Sequence, residues 1–170
     1  MRKHMWIVAT GGVLCLLSMY ITGAEATPAS GFSGTTVALG RFHDINVSNM
    51  QMPSIGVTPR TPWMSFQKSM GMSDAYIQNN TWLVGGTSGW HTHPGHSLII
   101  VTAGEITAYD SSCTGTVYTT GMGFVDEGGD HAHVLRNETL VEARTMAFQL
   151  LPAGAVRRID VPQPPNCPVF

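Results

Sequence analysis

Five of the seven histidines of this chain fall into two short clusters of sequence. His91 and His93 stand two residues apart, as do His131 and His133, and His96 follows the first pair. Alternate residues of an extended strand project from the same face, so each pair can direct two imidazoles toward one point. Neutral imidazole nitrogen is a good ligand for Zn, Fe, Mn, Cu and Ni. One pair alone would favour exposed or hydrogen-bonded strand histidines, but two pairs in one small domain favour a metal site.

Strands are the elements predicted to position these histidines. Beyond the first residues the chain consists of short runs rich in Val, Ile, Thr and aromatic residues, separated by Gly, Pro and Asp, with no convincing helical period. The predicted strands span residues 35–39, 41–47, 75–84, 96–102, 105–109, 117–120, 123–126, 131–136, 140–150 and 156–159. Their close spacing and short turns predict an all-β, antiparallel sandwich or barrel.

The length of the chain, 170 residues, suits one domain with a real core and is too short for two. We expect residues 75–161 to form the core of the barrel, and residues 27–74 to hold N-terminal strands and a long surface loop. That loop, residues 49–73, is rich in methionine and carries three prolines. Residues 162–170 form a tail too rich in proline for a regular element.

The first 26 residues have the pattern of a cleavable signal peptide. A short basic opening precedes an apolar run, which ends at Ala24 and Ala26, small residues in the positions that a signal peptidase reads. An uncleaved anchor is the alternative, since the run is nearly long enough to span a bilayer. Two adjacent glycines inside the run and the Ala-x-Ala ending favour cleavage. We therefore expect a secreted or periplasmic protein that begins near Thr27 and keeps no stable membrane anchor.

Charge and cysteine content narrow the class of protein further. A net charge of -2, with only 12% charged residues, offers no basic surface for nucleic acid. Removal of the signal peptide leaves two of the three cysteines, Cys113 and Cys167. An even pair in an exported chain predicts a disulfide, which would stabilise the fold by roughly 4 kcal/mol in the chain-entropy model. Two unpaired thiols are the alternative.

The first histidine cluster resembles the first sequence motif of the cupin superfamily, G-x5-H-x-H-x3-E-x6-G. Gly85, His91, His93 and Gly104 stand at four of its fixed positions, and Ser97 stands where the motif has glutamate. Every fixed position except that glutamate therefore matches.

The second cluster resembles the end of the second cupin motif, H-x3-N, at His133 and Asn137. The proline and glycine that usually precede this histidine are replaced by Gly128 and Asp130. From about residue 31 to residue 168 the chain is similar to small exported single-domain cupins of bacteria, which share its GWHTHPG turn, its HVLRNE strand and its LLPAG, RRID and NCP segments.

The resemblance implies a single jelly-roll β-barrel that holds one divalent transition metal ion, Mn, Fe, Zn, Ni or Cu, on His91, His93 and His133. Ser97 cannot supply the anionic ligand that most metal-binding cupins have. The acidic residues of the glycine-rich loop before His131, which are Asp126, Glu127 and Asp130, are typical turn residues, although one of them could approach the metal in place of the glutamate. His131 is left open as a further ligand or a partner of the ligands, and His96 would need a bulged strand to turn inward.

The same resemblance leaves the activity of the protein open. It implies a metal-dependent enzyme acting on a small organic molecule, or else a non-catalytic binding or structural module that has lost its metal together with the glutamate. Because cupins often pair through their outer strands, a homodimer is a further expectation. The residues that would be catalytic, the substrate and the identity of the ion do not follow from the sequence.

Overall fold

The computed structural model describes residues 26–56 and 61–168 of the chain. Every regular element in these two ranges is a β-strand. No helix among the described residues is long and apolar enough to cross a membrane. Apart from Ala26, the predicted signal peptide at residues 1–26 lies outside the described residues, and its cleavage stays a prediction.

Two antiparallel sheets face each other and form a nearly closed barrel. The strands in the described ranges are β1 (Ser30–Phe42), β2 (Asn46–Gln51), β3 (Trp63–Lys68), β4 (Ser73–Thr87), β5 (His91–Thr92), β6 (Ser97–Ala103), β7 (Glu105–Asp110), β8 (Gly115–Thr119), β9 (Gly123–Asp126), β10 (His133–Arg136), β11 (Ala143–Pro152) and β12 (Ile159–Asp160). Ten of these strands form one continuous ladder, and its two halves are the two sheets of the barrel. Their orders are β1-β4-β11-β6-β9 and β12-β5-β10-β7-β8, and the pairing of β4 with β10 joins them. The predicted all-β jelly roll is confirmed.

The two sheets are joined where the long strand β4 leaves one and reaches the other. Its last residue, Thr87, pairs with Arg136 of β10. Asn137 secures this corner: it is fully buried, and its amide nitrogen lies 2.7 Å from the carbonyl oxygen of Val141 and 3.1 Å from those of Trp82 and Leu83. An amide side chain that satisfies several backbone groups in a buried turn replaces hydrogen bonds that water cannot supply there.

Alternate residues of the strands point into the barrel, as a half-buried sheet requires. The main core cluster contains the following buried residues: Trp82, Ile99, Val101, Ile106, Leu135, Ala143 and Ala147. A second, smaller cluster packs Trp90 and Val134 against Cys167. Cys167 is joined to Cys113 by a disulfide with an S–S distance of 2.12 Å, so the second cluster includes a covalent link between the β7–β8 turn and the C-terminal segment.

The region predicted as a long surface loop is more regular than expected. Within residues 49–73, strand β3 pairs with β2 over six residue pairs, from Asn46 opposite Lys68 to Gln51 opposite Trp63, as a sheet separate from the barrel. The prolines of this region lie between the strands and not within them, so they do not interrupt the ladder. Residues 57–60 between these strands lie outside the described chain.

Asp74 anchors the beginning of β4 through three hydrogen bonds. The side chain of Arg41 donates to its two carboxylate oxygens at 2.6 and 2.8 Å, and the backbone amide of Gly154 donates at 2.9 Å. The hydrogen bonds from Arg41, followed by that from Gly154, lower the pKa of Asp74 from 3.8 to about 2. The carboxylate therefore favours folding only while it is ionised.

We expect Asp74→Asn to reduce the acid sensitivity of the fold. In the wild type the folded-state pKa lies below the unfolded one, so the contribution of Asp74 is complete above 3.8 and is lost as the pH falls toward 2. The variant should melt at a lower temperature near neutral pH and lose less between about pH 5 and about pH 3. Thermal melts of metal-free protein measure this. Glu142→Gln, at the exposed ion pair with Arg144, should keep the wild-type slope; an equally steep slope in Asp74→Asn would contradict the assignment.

Candidate metal centre

Three histidines from two strands converge inside the barrel. His91 lies in β5, His93 follows the end of that strand, and His133 opens β10 directly opposite His91. The ring centroids are 4.8 Å apart for His91 and His93, 4.3 Å for His91 and His133, and 5.5 Å for His93 and His133. One nitrogen from each ring lies within 4.8 Å of the other two, a spacing that could hold a metal ion.

Backbone carbonyl groups determine which nitrogen carries the proton in two of the rings. Nδ1 of His91 and Nδ1 of His133 lie 2.8 and 3.3 Å from the carbonyl oxygen two residues earlier. Because a carbonyl oxygen only accepts hydrogen bonds, Nδ1 is the donor in both rings and Nε2 keeps a free lone pair. Nδ1 of His93 contacts both the carbonyl oxygen of Arg157 and, at 2.9 Å, the amide nitrogen of Gln149. This arrangement of outer partners is typical of histidines that bind metal through Nε2.

A carboxylate faces the same point. Oδ2 of Asp126, the last residue of β9, lies 3.1 Å from Nε2 of His93 and 3.5 Å from Nε2 of His133. Asp126 pairs in register with Ser97 of β6, whose buried side chain also lines this cavity. Of the acidic residues in the loop before His131 that the sequence offered as a substitute for the glutamate, the structure brings Asp126 to the histidines, whereas Glu127 is exposed.

The buried atoms at this point fit a bound cation. With the proton of His133 on Nδ1, the lone pair of its Nε2 and a carboxylate oxygen of Asp126 face each other at 3.5 Å without a hydrogen between them. Nε2 of His133 and Oδ2 of Asp126 are both buried and have no hydrogen-bond partner within the described ranges. Buried acceptors left without a donor cost free energy, and a metal ion is a group that would satisfy all of them together. The donor set of imidazoles and a carboxylate suits a divalent transition metal.

The surroundings keep His91 and His133 in the form that binds metal. Burial lowers the pKa of His91 to about 2, and the charges of His133 and Arg158 add to the effect. Burial likewise lowers the pKa of His133, although the charge of Asp126 opposes it. Burial alone would raise the pKa of Asp126, but the adjacent rings of His93 and His133 and the backbone amide of Gly128 hold it below its ordinary value. Neutral imidazoles beside an ionised carboxylate are the protonation states that ligands require.

The two further candidates from the sequence do not join this group. The side chain of His131 is 70% exposed and lies 3.3 Å from the carboxylate of Glu127 on the outside of the turn. The predicted strand 131–136 begins at His133, so His131 does not share its face. Ser97 points into the cavity, and the alternation of the chain directs the neighbouring His96 away from it.

The histidines line a cavity of about 280 Å³. Its polar wall includes Gln149, whose amide nitrogen lies 2.9 Å from Nδ1 of His93, and the consecutive residues Arg157 and Arg158. Arg157 donates to the amide oxygen of Gln149 at 3.2 Å. One guanidinium nitrogen of Arg158, Nη2, is buried without a hydrogen-bond partner among the described residues. Sequence reasoning missed both arginines as site residues, because nothing local indicates that this turn folds back over β5.

Both stretches that resemble cupin motifs thus meet inside a two-sheet jelly roll. This nearly closed barrel is consistent with a cupin. At the histidines, Ser97 stands where the first cupin motif has glutamate, and a carboxylate from another strand, that of Asp126, faces the three rings.

Comparisons with known proteins find similarity among solved structures only. No protein-family model matches the chain, and no curated protein sequence matches it. Similar solved structures include a conserved double-stranded β-helix protein from Klebsiella pneumoniae, with 16% identity, a TM-score of 0.44 and coverage of 51% of this chain and 75% of that one. A cupin domain of a transcriptional regulator from Enterobacter cloacae shows 15% identity, a TM-score of 0.39 and coverage of 44% and 79%.

An oxalate oxidase is also similar, with 20% identity, a TM-score of 0.40 and coverage of 46% of each chain. The matched region therefore spans less than half of that enzyme. Identities this low bear on the fold alone, and they transfer no activity, substrate or ion to this chain.

Proposed function

We propose that this protein is an exported metal-binding cupin that holds one divalent transition metal ion on His91, His93 and His133 and binds a small organic molecule beside it. The observation that carries the proposal is the convergence of three imidazoles and a carboxylate, in which Nε2 of His133 and Oδ2 of Asp126 are buried with no hydrogen-bond partner in the described chain. Its support for export is the paired Cys113 and Cys167, because disulfides persist in oxidising compartments.

The cavity supports a small ligand in contact with the ion. Its volume of about 280 Å³ lies just below the usual range for ligand pockets, and its lining combines an apolar floor with many polar side chains. Trp82, Ile99 and Leu135 contribute to the floor. The unpartnered guanidinium nitrogen of Arg158 would be satisfied by an acceptor oxygen on the organic molecule. When bound, the ion would supply Lewis-acid polarisation of such an oxygen.

The rival function is a non-catalytic cupin that has lost its metal. Ser97 favours it, because most metal-binding cupins carry a glutamate there. In that case the three histidines would bind no ion, and Nε2 of His93 would carry a proton and donate it in a hydrogen bond to Asp126. The two functions differ in whether the purified protein holds an ion.

Elemental analysis of disulfide-bonded protein purified from the periplasm tests the proposal. We expect about one transition metal ion per chain, either as purified or after reconstitution of metal-free protein with Mn, Fe, Zn, Ni or Cu salts, since a set of neutral imidazoles with a carboxylate should not release such an ion readily. Essentially no bound metal after reconstitution with each of these ions would overturn the proposal and leave the metal-free cupin.

A further inference from the structure

We propose that Asp126 is the carboxylate ligand of this metal site, and that it supplies from strand β9 the anionic group that Ser97 does not supply from strand β6. The inference rests on the proposed function, since it concerns a ligand of the same ion. It assigns a role to a residue that local sequence would class as part of a turn.

The distances from Asp126 to the imidazole nitrogens suit a direct ligand. Ligand atoms about 2.0 to 2.2 Å from a common ion, at angles between those of an octahedron and a tetrahedron, lie roughly 2.8 to 3.6 Å from each other. Oδ2 of Asp126 lies 3.1 Å from Nε2 of His93 and 3.5 Å from Nε2 of His133. Both separations fall in the range for neighbouring ligands of one ion.

The turn after β9 fixes the orientation of the Asp126 carboxylate. Oδ1 of Asp126 accepts a hydrogen bond from the backbone amide of Gly128 at 3.0 Å, while Oδ2 is buried and accepts none within the described ranges. Gly128 has a φ of 68°, and a Cβ on it would lie 2.0 Å from the carbonyl oxygen of Gly95. Only glycine allows this turn to pack so closely against the segment after His93. One carboxylate oxygen is therefore fixed by the turn and the other is directed at the histidines.

The register between β6 and β9 brings the two positions together. Ser97 and Asp126 are directly paired in the β6–β9 ladder. Paired residues on one face of an antiparallel ladder have Cβ atoms only about 4.5 to 5.5 Å apart. A carboxylate at either of the two paired positions can therefore reach the same ion. The loss of the carboxylate at position 97 is then compensated by the carboxylate of Asp126 on the neighbouring strand.

The alternative role for Asp126 is that of a positioning residue, which accepts a hydrogen bond from His93 and only orients its ring. The two roles differ in the size of their effect on metal affinity. Loss of a group that orients a ligand typically costs about 10- to 100-fold in affinity. Loss of a direct anionic ligand should cost more, because it also removes the negative charge that offsets the charge of the ion.

Calorimetric titration of metal-free, disulfide-bonded protein with zinc and manganese salts tests this assignment. Asp126→Asn keeps an oxygen that can accept from Gly128 but replaces the free carboxylate oxygen, and we expect it to weaken binding by more than about 100-fold. Glu127→Gln is the matched control: it removes the same charge from an exposed neighbour and should leave the affinity unchanged. Restoring the motif glutamate in the double variant Ser97→Glu/Asp126→Asn should recover at least about 10-fold of the loss.

The outcomes separate this inference from the proposed function. If the wild type binds no metal, the proposed function fails and the ligand assignment fails with it. If the wild type binds metal and Asp126→Asn loses less than about 100-fold, the proposed function stands and Asp126 is a positioning residue. If the double variant recovers nothing, the compensation of position 97 by Asp126 is wrong. Circular dichroism of each variant checks folding, and Asp126→Ser, which keeps a hydroxyl acceptor near Gly128, replaces Asp126→Asn should that variant not fold.

Discussion

Replacing His91 and His93 together by alanine is expected to abolish metal binding and to remove the rise in melting temperature that the ion gives the wild-type protein. A ligand bound only by the folded state stabilises it by RT ln(1 + [L]/Kd), which is about 2.7 kcal/mol when the free ion is at 100 times its Kd. The double variant removes two of the three imidazoles, so this contribution should fall to zero. Thermal melts with and without added metal, together with calorimetric titration, measure the loss.

The matched control is the double variant His96→Ala/His131→Ala. It removes the same number of imidazoles from neighbouring sequence, but neither side chain belongs to the converging group. We expect this variant to keep both its metal stoichiometry and its metal-dependent rise in melting temperature. A metal response that survives in His91→Ala/His93→Ala, or disappears in the control, would place the ion elsewhere.

Replacing both Cys113 and Cys167 by serine is expected to lower the free energy of unfolding by about 4 kcal/mol. The disulfide closes a loop with a sequence separation of 54 residues, so its removal returns considerable freedom to the unfolded chain. A loss of this size is a large share of the stability of an ordinary domain. Denaturant unfolding of metal-free wild type and variant, compared by midpoint and slope, gives the difference.

Reductant provides the control for the cysteine variant. It should lower the stability of the wild type to about that of Cys113→Ser/Cys167→Ser and have no effect on the variant itself. A reductant effect that persists without the cysteines, or a variant as stable as oxidised wild type, would show that the link does not hold the fold as argued.

The fold and the histidine group were accessible from sequence because both depend on local patterns. Short runs of β-forming residues between turn residues mark most of the strands, and two His-x-His pairs on such strands point to a shared site. The resemblance to cupin motifs then selected the jelly roll among β-architectures. The predicted β9, residues 123–126, has the bounds that the structure gives it.

The parts that the sequence did not reveal depend on contacts between distant segments. Asp126 reaches the histidines because β9 pairs with β6, and no local feature distinguishes it from a turn aspartate. Arg157 enters the site because β12, just after it, pairs with β5. The pairing of β2 with β3 across the proline-rich segment was also missed, since prolines between strands look the same in sequence as prolines that prevent them.

The contact between His93 and the carbonyl group of Arg157 has a consequence for the order in which the protein matures. The ring of His93 contacts backbone of the C-terminal segment, and Asp160 of that segment pairs with His91. A chain that is still being synthesised therefore lacks these contacts with His91 and His93. These contacts form only once the last part of the chain is present. For a protein that is translocated unfolded, the ion would be acquired from the medium on the far side of the membrane, after the chain has closed.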